Sequence, residues 1–225
     1  EDLRDLLGEE DFGTWIARRV QVSFGQKEIG EDLATLMTFF PLEDSVAVDL
    51  GDEGRYATLF DKLAQDGWVE RDAPGETFDA RTAGSAPPDD ASPLWRIVHD
   101  VFADQIVLRY FEPRSNRRTH FAGHILREAG RLDCVNSAIQ SLQRLVEELQ
   151  IAAPDWFTLV DEAIRENPAA WRAARDTILR TSLLEPGGML ALLKNHPAIW
   201  EGSERDTAFQ MSLGWLVRWA VRQRA

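Results

Sequence analysis

Asp133–Leu149, DCVNSAIQSLQRLVEEL, is the stretch whose reading decides the fold class. Val135, Ala138, Ile139, Leu142, Leu145, Val146 and Leu149 recur at three- and four-residue steps, one continuous apolar stripe on a helix. Asp133 stands where an N-cap belongs, so a helix is expected from there to about residue 149. Gly130, just upstream, ends the preceding helix, which Ser115 or Asn116 opens. Ser92 with Pro93 reads as the start of a further helix through Ile97, Val98, Val101, Phe102 and Ile106 to Pro113. Downstream, Pro154 opens a helix that ends at Asn167. Connections of about 2–8 residues between such segments fit an antiparallel bundle. The expected fold is mainly α, with a helical bundle over residues 93–225.

Short helical repeats are the open alternative at the C-terminal end. Pro168-Ala169-Ala170-Trp171 returns as Pro197-Ala198-Ile199-Trp200. Arg175-Asp176-Thr177 returns as Arg205-Asp206-Thr207, and Ser182-Leu183 as Ser212-Leu213. A helix-pair repeat of this size is a stacking unit, although arrays ordinarily need three or more copies. Proline at a helix start with a tryptophan one turn in accounts for the match equally well. Gly187-Gly188 after Pro186 reads as a turn.

The N-terminal part reads differently. Residues 10–23 and 29–40 carry helical spacing, the first through Phe12, Trp15, Ile16 and Val20, the second through Leu33, Leu36, Met37 and Phe40, with Pro41 ending it. Val46, Val48 and Leu50 alternate with Ser45, Ala47 and Asp49, a strand pattern. Tyr56, Leu59, Phe60 and Leu63 mark another helix, closed by Gly67, and Trp68-Val69 reads as a second short strand. A small acidic module, α+β or helical, is therefore expected over residues 1–71. Between it and the bundle, residues 72–92 are rich in Pro, Gly, Ala, Ser and Asp and read as a linker or mobile loop.

Charge changes at the same place. Residues 1–90 hold 22 acidic and 8 basic side chains, whereas 91–225 hold 16 and 17. The whole net charge of −13 thus belongs to the N-terminal part. Such a field repels nucleic acid and anionic membrane and favours a basic partner. Cys134 is the only cysteine, so no internal disulfide forms and a reducing compartment, the cytoplasm, is expected. No apolar run reaches the length of a membrane span. No signal peptide is visible, and the first residue, Glu1, leaves room for a removed leader. Arginine far outnumbers lysine (Lys27, Lys62 and Lys194 only), a bias that points to a GC-rich bacterial genome.

Candidate chemistry gathers in two places. Arg114, Arg117, Arg118, His120 and His124 lie at a helix N-terminus, where free amides and the dipole favour an anion. His120 and His124, four apart, share a face that Glu128 extends, which suits either a metal pair with a carboxylate or a phosphate site with histidine acid/base chemistry. No third ligand stands at metal-site spacing, so no metal and no cofactor is expected. The second place is the last helix. Leu213, Leu216, Val217, Ala220 and Val221 form its apolar side. Trp215, Arg218, Trp219 and Arg222 make an aromatic and basic remainder suited to seating a partner.

Two resemblances are local. His99-Asp100 resembles the doublet of HD phosphohydrolases, but that pattern also needs an upstream histidine, and none precedes residue 99. Tyr56–Arg71, YATLFDKLAQDGWVER, resembles a winged-helix recognition helix running into its wing. That implies a DNA-binding or protein-contact role. Lys62 is the one cation in that helix, between Asp61 and Asp66, which argues against phosphate contact. No nucleophile elbow or Gly-rich phosphate loop occurs. The reading is a non-enzymatic interaction module (an adaptor, inhibitor or regulatory subunit, in a bacterial regulatory or defence assembly) with a protein partner of basic surface. The alternative is an enzyme or ligand-binding domain acting on an anionic ligand through residues 114–128.

Overall fold

Two cores, not one, organise the chain, which divides between Tyr110 and Phe111. In the computed structural model the described residues are 14, 18–20, 22, 30–52, 54–72, 93–98, 100–108, 111, 117–149, 155–202 and 207–223. They hold twelve helices described from end to end and one three-stranded sheet, a mainly α fold. Of the expected first helix, only residues 14, 18–20 and 22 are described, and they are helical. The expected linker, 72–92, lies outside the described residues apart from Asp72.

The first unit runs α1 (Glu31–Met37), β1 (Leu42–Glu43), α2 (Asp44–Asp52), α3 (Gly54–Gln65), β2 (Val69–Arg71), β3 (Leu94–Ile97), α4 (Asp100–Leu108). The sheet is antiparallel in the order β1-β3-β2, with Trp95 opposite both Leu42 and Arg71. Through β3 the order is helix, strand, helix, helix, strand, strand, with β3 in the middle of the sheet. Leu36, Phe39, Leu50, Tyr56, Leu63 and Ile106 are fully buried at its centre. Phe60 lies edge-on to Trp95 at 5.1 Å, fastening α3 to the sheet.

Two expectations are corrected here. Residues 45–50 are helical, not a strand: Ala47 and Leu50 are buried three apart, while Val48 is 66% exposed, so the alternation was coincidental. Leu94–Ile97 is a strand, not the first turn of a helix opened by Ser92 and Pro93. Pairing on both edges outweighs the local cap signal, and the helix begins only at Asp100. Residues 93–108 therefore belong to the first unit, and the helical part starts at Phe111.

The second unit is wholly helical among its described residues: α5 (Arg117–Arg131), α6 (Val135–Leu149), α7 (Trp156–Glu166), α8 (Pro168–Ala173), α9 (Arg175–Arg180), α10 (Pro186–Asn195), α11 (Pro197–Trp200) and α12 (Thr207–Gln223). The stripe on α6 is buried as expected at Val135, Ala138, Ile139, Leu142 and Leu145. Asp133 is not an N-cap, however. It has φ 57°, and the Cys134 amide donates to the Ala129 carbonyl at 2.8 Å, so Asp133 turns the chain out of α5 by a left-handed C-terminal motif. Pro186 stands at the start of α10 with Gly187 and Gly188 in its first turn, so that stretch is helical rather than a turn.

These helices stack. α5 packs on α7 and α7 on α10, forming one layer; α6 packs on α9 and α9 on α12, forming the second. Short α8 and α11 lie at the crossings and touch each other. The unit is thus three successive turns, α5-α6, α7-α8-α9 and α10-α11-α12. The sequence match at Pro168 and Pro197 is the second and third of them. Asn167 (φ −141°, ψ 76°) and His196 (φ −127°, ψ 59°) hold the same conformation ahead of proline, and Trp171 and Trp200 are buried one turn on. Each residue also reaches back one turn of the array. Asn167 Nδ2 donates to the Gly130 carbonyl at 2.5 Å, and His196 Nε2 lies 2.7 Å from Asp161 Oδ1. The first turn has no Pro-Ala-x-Trp segment, which is why the sequence displays two copies and the structure three.

Candidate functional site

Among the described residues of the second unit, every large apolar side chain that stays exposed lies on α12: Met211, Leu213, Trp215, Val217 and Val221. This follows from stacking. α12 packs on α9 and α10, with Leu216 buried and Phe209 stacked on Trp200 of α11 at 6.0 Å, and its outer flank stays exposed. Trp219 turns inward, its ring over Gly187, so it does not share the exposed face expected for it. The exposed flank carries Met211 (70% exposed) and Trp215 (53% exposed) one turn apart, with Arg218 and Arg222 continuing the same line.

Beside that flank is a cavity of about 390 Å³ between α9, α10 and α12, walled by Leu184, Met189, Met211, Trp215 and Leu216. A wider cleft of about 680 Å³ adjoins it, where α6 ends and where α7 and α10 begin. Val146, Trp156, Leu184 and Ala191 line its apolar part, with Asp155 and Glu185 as its charged groups. Ser182 and Leu184 belong to both, so the two form one surface across the loop between α9 and α10.

Asp155 caps α7, accepting from the Thr158 amide at 3.2 Å and the Thr158 hydroxyl at 2.7 Å. The hydroxyl bond first, and the amide bond after it, hold its carboxyl below the usual carboxylate range. Glu185 precedes α10 without making a side-chain cap bond. A third carboxylate, Glu147, accepts from the Ser182 hydroxyl at the rim.

The Arg/His cluster is less convergent than its spacing implies. Arg114 lies outside the described residues, and Arg117 and Arg118 begin α5 without described side chains. His120 is exposed, whereas His124 is half-buried with Nε2 shielded from solvent, so the two rings do not meet water together. His99 lies outside the described residues. Among the described residues no three His, Cys, Asp or Glu side chains stand close enough to hold a metal ion. No helix there is long and apolar enough to cross a membrane.

Sequence reasoning singled out Trp215, Arg218 and Arg222 but missed Met211, Leu184, Asp155 and Glu185. Met211 was legible, one turn before Trp215 on the same face. The others come from three different segments, and only stacking brings them together. No family model, curated protein or solved structure matches the chain.

Proposed function

We propose that the chain is a non-enzymatic interaction module, an adaptor, inhibitor or regulatory subunit, that seats a protein segment on the end of its helical array. One observation carries this reading: the concentration of exposed apolar side chains on α12, beside a cavity lined by Leu184 and Met189. Covering the open half of Trp215 alone is worth about 2–3 kcal/mol of apolar burial, enough to make it an anchor.

The first unit, whose Tyr56–Arg71 stretch resembles a winged helix, fits a protein contact better than a DNA contact. Its third helix exposes Thr58, Asp61 and Gln65, and Lys62 is held by Asp66 at 3.2 Å. Phosphate neutralisation supplies most nonspecific DNA affinity, and a part of the chain with 22 acidic and 8 basic residues opposes it.

The test is selection of a random peptide library, displayed on phage, against the intact chain. Selected peptides are expected to bind at least about tenfold more weakly to Trp215→Ala. A selection with no binders, or binders indifferent to both Trp215→Ala and Met211→Ala, overturns the proposal.

A further inference from the structure

We infer that the cleft beside the Trp215 cavity receives a basic side chain, so that the bound segment carries an arginine or lysine next to a bulky apolar residue. This rests on the interaction reading above and names the partner's chemistry.

The net field of the cleft sets the sign of the group it can receive. Among the described residues, Asp155 and Glu185 are the only charged side chains lining the cleft, and both are acidic. Glu147 adds a third carboxylate at the rim through Ser182. Two helix N-termini, those of α7 and α10, also open here and oppose these charges. Each contributes roughly half a positive charge, so together they offset about one carboxylate of the lining pair. A full negative charge is left over, before Glu147 is counted. The α7 terminus is in addition already occupied, since Asp155 accepts from the Thr158 amide. An anionic group would therefore meet repulsion, and a cation would meet Asp155 and Glu185 over an apolar floor.

The apolar floor selects among cations. Val146, Trp156, Leu184 and Ala191 suit the methylene stem of Lys or Arg, which packs on apolar surface while its head pairs with carboxylate. Trp156 is only 5% exposed, so the floor is a fixed part of the core. Leu184 and Ser182 continue into the neighbouring cavity, where every described lining residue is uncharged. The two cavities thus ask for different side chains at adjacent positions of one segment, basic in the first and bulky apolar in the second. Arg218 and Arg222 lie on α12 beyond the neutral cavity and are not in the lining of either one.

The experiment runs the same peptide library in parallel on the wild-type chain and on an Asp155→Asn/Glu185→Gln double variant. Asparagine keeps the α7 cap, so the variant loses charge without losing the cap bond. Wild-type selection is expected to enrich Arg and Lys at least about twofold over the unselected library, beside Leu, Phe or Trp. The double variant is expected to lose that enrichment and to bind the wild-type-selected peptides about tenfold more weakly, the scale of a charge-assisted pair. Binders without basic enrichment, or basic peptides that bind the double variant as well as wild type, overturn this inference and leave the interaction module standing. Basic peptides sensitive to the double variant but indifferent to Trp215→Ala and Met211→Ala do the reverse. They keep the acidic cleft and remove the apolar anchor.

Discussion

The first unit closes its core and the second does not. In the first, β3 is paired on both edges, α3 is fastened to it through Phe60 and Trp95, and α1 packs on α4. Its elements are joined by contacts between residues far apart in sequence, and the sheet has no further strand to add on β3. The second unit is built by repetition: each helical turn covers the one before it and is covered by the one after. Such an array ends with a face that nothing in the pattern covers, which natural arrays commonly make polar. Here α12 keeps Met211, Trp215, Val217 and Val221 exposed instead. The contrast teaches where to look for contact with other molecules. A closed unit offers its loops and its charge, whereas an open array offers the apolar face of its last helix.

The hardest blow to this contrast comes from the middle of the array. Trp171 is fully buried, with its indole edge 3.1 Å from where a Cβ on Gly130 would stand. Trp171→Ala is expected to cost about 3–5 kcal/mol, the usual range for emptying an aromatic site in a core. Denaturant titrations followed by circular dichroism and fluorescence check both the size and the extent of the loss. If the units are separately stable, one transition moves and the other stays. If both move together, the two cores unfold as one and the contrast between them fails.

Most of the helical architecture is legible in the sequence because amphipathic helices advertise themselves. The α6 stripe, the helix before Gly130 and the one ending at Asn167 are all found where periodicity puts them. What was hidden depends on partners. Leu94–Ile97 reads as a helix start until β1 and β2 pair with it. Val46, Val48 and Leu50 read as a strand until Leu50 and Ala47 find the core. Asp133 reads as a cap until its positive φ shows that it ends one helix rather than beginning the next. The site was legible only on α12. Asp155, Leu184 and Glu185 have no common spacing, because what joins them is the stacking of α7 on α10.

Two carboxylates sharpen the comparison at a smaller scale. Asp44 joins distant segments of the first unit, accepting from Arg71 Nε and Trp95 Nε1, each at 2.9 Å. Asp161 does the same in the second, accepting from Asn195 at 3.1 Å and His196 at 2.7 Å and pairing with Arg165. Burial raises the Asp161 carboxyl, but the bonds from Asn195 and His196 and the Arg165 charge outweigh it, and its pKa lies below the ordinary value. The Asp44 pKa is also lowered, first by the Arg71 hydrogen bond, but its side chain is 31% exposed and that of Arg71 52%. A lowered folded pKa means stability that is present above the unfolded value and lost as pH falls through the folded one. Between about pH 6 and pH 3, the midpoint of the second unit is expected to fall and Asp161→Asn to flatten that fall. Asp44→Asn is expected to change the first unit less, because water screens an exposed pair. Equal pH slopes in the two variants would show that burial of the carboxylate is not what separates the units.

The smallest expected effect on folding tests the idea of an open end most directly. Trp215 is 53% exposed and Leu216, beside it, is 2% exposed. If α12 is held to the array through Leu216 and Trp219, then Trp215→Ala should shift stability by no more than about 0.5 kcal/mol, as for an ordinary surface change. Leu216→Ala should cost about 2–5 kcal/mol as a core truncation. The pair separates two reasons for an apolar residue to be on this helix. A large loss with Trp215→Ala would mean that its ring closes the array over Leu184 and Met189, so the end is sealed. A negligible loss, together with weakened peptide binding, would mean that the ring is kept for something outside the chain.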